Sequence, residues 1–284
     1  MAIRLKLEDV HYRYAGVAAS PTDVLKGISL ELGANECTAI VGPSGSGKTT
    51  LIQHFTGLLR PTKGSVTFNG QDIWARSFRQ SELRRRIGLV FQFPEAQLFE
   101  ETVEKDVAFG PKNFGLPAAE IHQRVTEALA AVDLSPDFGP RSPFRISEGE
   151  KRRVAVAGVL AMRPEMLVFD EPTAGLDPGA VRRFTGIIRR LLDAGTAVVV
   201  VTHNMDFVAE IADRVLVLRQ GRMLFAGTPY ELFQDQTLIE QADLELPTVV
   251  QALREHGDWA AQTRDVLTFA QLVRRINELR NHAG

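Results

Sequence analysis

The sequence predicts an α/β fold built on a largely parallel sheet, and three observations carry that expectation. Short β-branched runs alternate with longer amphipathic stretches along the 284-residue chain. A glycine-rich octapeptide, Gly42-Pro43-Ser44-Gly45-Ser46-Gly47-Lys48-Thr49, stands between one such run and one such stretch. A further run, Met166 to Phe169, leads directly into the acidic pair Asp170-Glu171.

The strand-like runs are Cys37 to Val41, Met166 to Phe169, Ala197 to Thr202 and Val215 to Leu218. They are short and mostly apolar, as strands covered on both faces must be. Lys48 to Leu59 and Ala180 to Ala194 read as helices, while Ile3 to Tyr14 and Gly64 to Asn69 read as antiparallel strands at one side. Between Gln92 and Pro164 the strand-like runs vanish, and patterns such as Ala118 to Val132 are separated by loops containing Pro and Gly. This predicts one α/β domain over residues 1–240 with a helical insertion at about 93–164. A small C-terminal helical extension, 241–284, restarts after Pro247 with two short helical patterns. Phe269, Leu272, Val273 and Ile276 give the last one an apolar stripe at 3/4 spacing, which reads as packing surface.

Composition narrows the class. Hydrophobic residues make up 44% of the chain, enough for a substantial core, and the net charge of −2 gives no nucleic-acid or lipid-headgroup footprint. The single cysteine, Cys37, excludes an internal disulfide framework and fits a reducing cytosol. No apolar segment approaches the ~18–20 residues that span a bilayer, and no signal peptide is visible after Met1-Ala2-Ile3-Arg4. Any membrane role requires another subunit to supply the membrane part.

The octapeptide fits G-x-x-x-x-G-K-[ST] in full. It follows the strand-like Thr38-Ala39-Ile40-Val41 and opens the helical run at Lys48, the context its mechanism needs. Glycines let the backbone curl round a phosphate, so that successive N–H groups point inward as an anion nest. The helix start adds its positive dipole end. Lys48 supplies a mobile charge for the β- and γ-phosphates, and the Thr49 hydroxyl is a Mg²⁺ ligand. The adjoining Thr50 completes the expected nucleotide-binding stretch. At the second site, Asp170 is expected to hold the Mg²⁺ shell and Glu171 to orient or deprotonate the attacking water. Strand alternation would place these two acids on opposite faces.

These motifs, with those that follow, resemble the ATP-binding-cassette (ABC) family over roughly residues 1–230. Ile146-Ser147-Glu148-Gly149-Glu150, before the basic Lys151-Arg152-Arg153, looks like the family signature Leu-Ser-Gly-Gly-Gln. Pro172 to Asp177 resembles the loop that crosses the family's dimer interface, and Thr202-His203 ends a strand as its switch histidine does. Gln92 follows Leu89-Val90-Phe91 as the glutamine that joins core to insertion, and is implied as a further nucleotide and metal contact. Tyr14, favoured over Tyr12, stands where an aromatic side chain stacks on adenine. The resemblance thus implies a P-loop ATPase with Glu171 and His203 as catalytic residues, ATP and Mg²⁺ bound, and Ser147 and Gly149 serving the ATP site of a partner chain.

The segments Phe91 to Phe99, Val154 to Met162 and Leu246 to Val249 look like the ATPases of energy-coupling factor transporters, which import vitamins and cobalt or nickel ions. That resemblance implies a peripheral subunit on the cytoplasmic face of the cell membrane. Its partners would be a second ABC ATPase, a transmembrane coupling protein and a substrate-binding membrane subunit, with no nucleic acid. The apolar Phe93, Pro94, Ala96, Leu98 and Phe99 are the expected docking groove for the coupling helices. Other ABC motors, or a non-transport ABC clamp on nucleic acid, are the alternatives, and the near-neutral charge disfavours the clamp. One departure stands out: Glu148 and Glu150 replace a glycine and a glutamine of the signature. Glu148 either faces the γ-phosphate across the dimer, at about 1 kcal/mol for 4 Å in water, or points to solvent at a helix N-terminus. A homodimer would carry that charge twice, so the expectation is a heterodimer with unequal ATP sites.

Overall fold

The computed structural model describes residues 3–14, 23–255, 263 and 265–282. Met1 and Ala2, on which the leader-free reading partly rests, and residues 256–262, 264 and 283–284 of the expected extension lie outside this set.

The apolar runs assemble into two sheets. Strands β1 (Leu5–Tyr12), β2 (Leu25–Leu32), β4 (Lys63–Phe68) and β5 (Gln71–Asp72) form an antiparallel sheet in the order β2-β1-β4-β5. The second sheet runs β10 (Arg222–Gly227), β9 (Arg214–Arg219), β3 (Cys37–Val41), β8 (Ala197–Val201), β7 (Met166–Asp170), β6 (Ile87–Val90). Its strands β9 to β6 are parallel, and only β10 turns back antiparallel. Every residue of β3, β7 and β8 is buried. Alternation sends Leu167, Phe169, Val198 and Val200 into one apolar cluster and Met166, Val168, Val199 and Val201 into another. Each such side chain contributes about 1.5–3 kcal/mol of burial before ordering costs.

Helix α1 (Lys48–Phe55) follows β3, and α2 (Gln80–Arg86) precedes β6. Between β6 and β7 the chain forms α3 (Val103–Asn113), α4 (Ala118–Ala131) and α5 (Glu148–Leu160). The chain then adds α6 (Pro178–Asp193), α7 (Met205–Ile211), α8 (Pro229–Gln234), α9 (Gln236–Ala242), α10 (Thr248–Glu255) and α11 (Phe269–His282). Helix α1 stops four residues short of Leu59 because Gly57 turns left-handed at φ +66° and ends it. Strands β2 and β10 were not foreseen. Their residues are a mixed polar and apolar set, and β2 carries a left-handed Gly27 at φ +78°.

The boundary placed at residue 240 falls inside α9. Leu238, Ile239, Ala242, Val250 and Leu267 share one apolar cluster with Ala39, Val41, Val215 and Val217 of the parallel sheet. The stripe on α11 does not pack as expected: Phe269 and Val273 are exposed, and Leu272 and Ile276 are half-buried. Cys37 is fully buried, and burial pushes its thiol far above the ordinary range, so it stays protonated.

Candidate nucleotide site

Parallel register brings four strand ends to one edge of the sheet. Ile40 pairs with Val201, Val201 with Asp170, and Phe169 with Val90. The loops after β3, β8, β7 and β6 therefore leave side by side, in the position where open α/β sheets bind ligands. They enclose a cavity of about 570 Å³. Of the residues expected there, Gly42, Pro43, Ser44, Gly45, Gly47, Lys48, Thr49, Thr50, Gln92, Asp170, Glu171 and His203 all line it.

The loop geometry explains the glycines. Gly42, Gly45 and Gly47 have φ of +140°, +74° and +103°, a region side chains rarely enter. Gly42 also passes so close to β9 that a Cβ would sit 2.0 Å from the Leu218 carbonyl oxygen. Helix α1 starts at Lys48 with no side-chain cap and no acid in its first turn. Its leading N–H groups and dipole are thus available to an anion. Lys48 Nζ donates to the carbonyls of Gly42 (2.7 Å) and Pro43 (3.0 Å), folded over the loop. Burial lowers its pKa, and the nearby Glu171 and Asp170 oppose that shift. Ser46 departs from expectation. It is buried, its amide donates to the Pro43 carbonyl, and its side chain does not line the cavity.

Thr49 Oγ1 donates to Asp170 Oδ2 at 3.1 Å. Burial raises the Asp170 pKa, and this hydrogen bond opposes the rise. The Thr49 hydroxyl, the Asp170 carboxylate and the Gln92 amide are hard oxygen donors of the kind Mg²⁺ takes alongside substrate phosphates. Glu171 corrects the alternation argument. The strand ends at Asp170, and Glu171 adopts a left-handed backbone at φ +49°, so both acids line the same cavity. Such a backbone costs about 1–3 kcal/mol and is typical of functional turns. The Glu171 amide donates to the Val201 carbonyl, and Glu171 Oε1 lies 2.9 Å from His203 Nδ1. Glu171 Oε2 is buried and has no hydrogen-bond partner among the described residues.

Tyr14 is exposed and its hydroxyl lies 3.2 Å from Thr50 Oγ1, whereas Tyr12 is half-buried against the core. The two rings meet edge-on, and Tyr12 meets the buried His54 of α1 the same way. Tyr14 is therefore the ring presented at the surface beside the phosphate helix. Ser147 and Gly149 lie elsewhere, lining a second, smaller cavity with Leu176 and Ala180. One chain cannot bring its own signature to its own phosphate loop.

The signature acids separate in orientation. Glu148 is an exposed side chain paired with Lys151 at 2.6 Å, the outward arrangement. Glu150 turns back instead: its Oε2 accepts from the Ser147 amide (2.8 Å) and hydroxyl (2.7 Å), while Ser147 Oγ accepts from the Glu150 amide. This is a capping box. Its hydrogen bonds from Ser147 hold the Glu150 carboxyl below the usual range. Residues not anticipated at the nucleotide cavity include Asp243, Leu244 and Glu245, just after α9. No local motif marks them, and only the packing of the C-terminal extension brings them there.

Comparison with known proteins agrees with this geometry. The family model described as ABC transporter matches residues 25–174, more than half of the chain. The energy-coupling factor transporter ATP-binding protein EcfA2 of Symbiobacterium thermophilum is 49% identical over 255 residues, covering 89% of this chain and 88% of that protein. The structure of cbiO1 from Clostridium perfringens, part of the ABC transporter complex cbiONQ, superposes with TM-score 0.75 at 38% identity. That match covers 88% of this chain and 98% of cbiO1. The ATP-binding cassette MJ0796, dimeric and bound to ADP and Pi, gives TM-score 0.69 at 28% identity over 79% of this chain and 98% of its own. This chain belongs to the ABC transporter family, among the ATP-binding proteins of energy-coupling factor transporters.

Proposed function

We propose that the chain binds ATP with Mg²⁺ in the 570 Å³ cavity, hydrolyses it, and so powers an importer of vitamins or transition-metal ions. The observation that carries this reading is the convergence there of the phosphate loop, Asp170, Glu171, Gln92 and His203. Mg²⁺, held by Thr49, Asp170 and Gln92, would neutralise charge on the β- and γ-phosphates. Lys48 leaves its two loop carbonyls to reach the same phosphates. Glu171 accepts a proton from the attacking water, and His203 orients the Glu171 carboxylate through Oε1. Tyr14 stacks on the adenine. ATPase assay and mass spectrometry of the complex purified through this subunit in mild detergent test the proposal. It fails if no ATP turnover or no membrane subunit is found.

Among the described residues no helix is long and apolar enough to cross a membrane; the proposed place of the subunit is peripheral, against membrane partners at the cytoplasmic face. The docking groove is narrower than the sequence suggested. Pro94 and Leu98 are buried, Leu98 within the main apolar cluster, while Phe93 and Phe99 are 50% and 56% exposed. Phe99 stacks edge-on against the exposed Phe109, over a largely apolar hollow that includes Leu58 and Met162. A charge at Leu98 would unfold the insertion, so Phe99→Arg is the discriminating variant. It is expected to keep the wild-type melting temperature and lose co-purification with the transmembrane subunit. Wild-type yield of the complex would remove this groove from the reading.

The dimer is proposed to be a heterodimer with a second, related ATPase. Lys48 and Glu171 of this chain would face the partner's signature and form the stronger site. The weaker site would use Ser147 and Gly149, because Glu150 already occupies the Ser147 amide and hydroxyl. A charge-assisted bond is roughly twice as strong as a neutral one, so Glu150→Gln is expected to raise turnover at that site about threefold to tenfold. Glu148→Gly is expected to change little, since Glu148 faces Lys151. Active-site-selective ATPase assays, with Glu171 or its counterpart inactivated in turn, read both. A complex with two copies of this chain and no second ATPase sinks the heterodimer.

A further inference from the structure

We propose that Arg152 is a positioning residue that ties the loop facing the membrane partner to the turn carrying Glu171, with Glu95 as its lever. Arg152 stands on α5, five residues beyond the signature serine, and only 7% of it is exposed. Its guanidinium meets three separate groups. Nε and Nη2 donate to the Glu95 carboxylate at 3.1 and 3.2 Å. Nη1 donates to the carbonyls of Pro172 (3.3 Å) and Ala174 (2.8 Å). The cation also lies 5.9 Å from the Phe93 ring centroid.

The contacts join two working segments to the signature helix. Glu95 sits in the one-turn helix Pro94–Gln97, directly after Gln92 and between the exposed Phe93 and Phe99. Pro172 and Ala174 belong to the turn that opens at Glu171, whose carbonyl accepts from the Ala174 amide. Helix α5 begins with Ser147 and its capping box. A displacement of the 94–97 turn therefore reaches both the Glu171 turn and the signature helix through one planar cation. A planar fork with five donors can hold a carboxylate and two carbonyls at once, whereas a lysine ammonium cannot match that geometry. A buried ion pair adds little stability over apolar side chains of the same volume, but it fixes one relative placement of the parts it joins. That is the property a coupling element needs.

This inference rests on the proposal that the Phe93–Phe99 face meets the membrane subunit. The variants are Glu95→Gln, which keeps an acceptor, and Arg152→Lys, which keeps the charge. Both are expected to fold with melting temperatures near wild type. In the isolated full chain, fluorescent-ATP affinity stays within about twofold, while the ATPase rate of the assembled complex falls about threefold to tenfold. Hydrogen exchange supplies a reading independent of any partner. In isolated Glu95→Gln, amides of residues 173–177 are expected to exchange faster, because Glu95 reaches that turn through Arg152.

Wild-type exchange at 173–177 together with a wild-type complex rate overturns the inference. So does a loss of rate that merely follows lost ATP affinity or lost folding. Failure of the underlying reading shows separately, as Phe99→Arg that still assembles.

Discussion

Glu171→Gln is expected to bind ATP with wild-type affinity and to hydrolyse it about 10²–10⁴-fold more slowly, the range of a lost general base. The argument is geometric. Glu171 lies beyond the last residue of β7, in a left-handed turn that places its carboxylate in the wall of the nucleotide cavity. Oε1 lies 2.9 Å from His203 Nδ1, a contact that holds the carboxylate in place to take the proton. The amide of glutamine preserves the shape and still reaches His203, but its remaining group is a donor and takes no proton. Binding, by contrast, belongs to the loop and to Lys48. Lys48→Ala is therefore expected to lose tight ATP binding. Rates and nucleotide affinities of both variants in the assembled complex make the test. Near-normal hydrolysis by Glu171→Gln would take the base role from it.

Gly42→Ala is expected to destabilise the whole domain rather than the nucleotide site alone. A Cβ there would stand 2.0 Å from the Leu218 carbonyl oxygen, far inside contact distance. The obstacle is backbone of β9, which is hydrogen-bonded to β3 through Ile40–Leu216 and Val41–Val217 and cannot move aside alone. Relief means parting two central strands. Overpacking costs about 1–3 kcal/mol, and a forced backbone conformation costs about as much again. At about 2–4 °C per kcal/mol for a domain of this size, the melting temperature should fall by roughly 5–20 °C. Gly45→Ala separates the two causes. Gly45 has φ +74° but nothing within 4 Å of its would-be Cβ, so only the backbone cost remains. Gly149→Ala, helical and open, should be near neutral. Thermal melts of the three variants rank the effects. A Gly42→Ala protein as stable as the Gly45→Ala one would contradict the steric account.

The order of motifs was legible in the chain because their chemistry is local. Gly42 to Thr49 must be contiguous to cradle a phosphate, and the run Met166 to Asp170 must be apolar because it is buried on both faces. Those constraints are written within a few residues, so the fold class, the helical insertion and the phosphate loop followed from spacing alone. Ambiguity entered where a segment's partner lies far along the chain. Strands β2 and β10 carry mixed residues whose pairing with β1 and β9 decides them. Leu98 looked like part of an exposed groove, and burial in the cluster with Val103 and Val107 settles it as core.

What the sequence by itself determined is the inventory: a phosphate-loop motif and an acidic pair at a strand end, joined through the family resemblance by a candidate switch histidine and an altered signature. Tertiary structure alone decided their relations. Parallel register set Gln92, Asp170, Glu171 and His203 round one cavity and left Ser147 and Gly149 outside it. It turned Glu171 to the same side as Asp170, against strand alternation, because the strand stops one residue earlier. It pointed Glu148 at Lys151 and Glu150 at Ser147, and it brought Asp243 to Glu245 to the nucleotide cavity. The physical reason is range. A residue's identity and its neighbours fix its chemistry and local backbone, but orientation and charge pairing depend on groups tens to hundreds of residues away, which only the packed chain sets beside it.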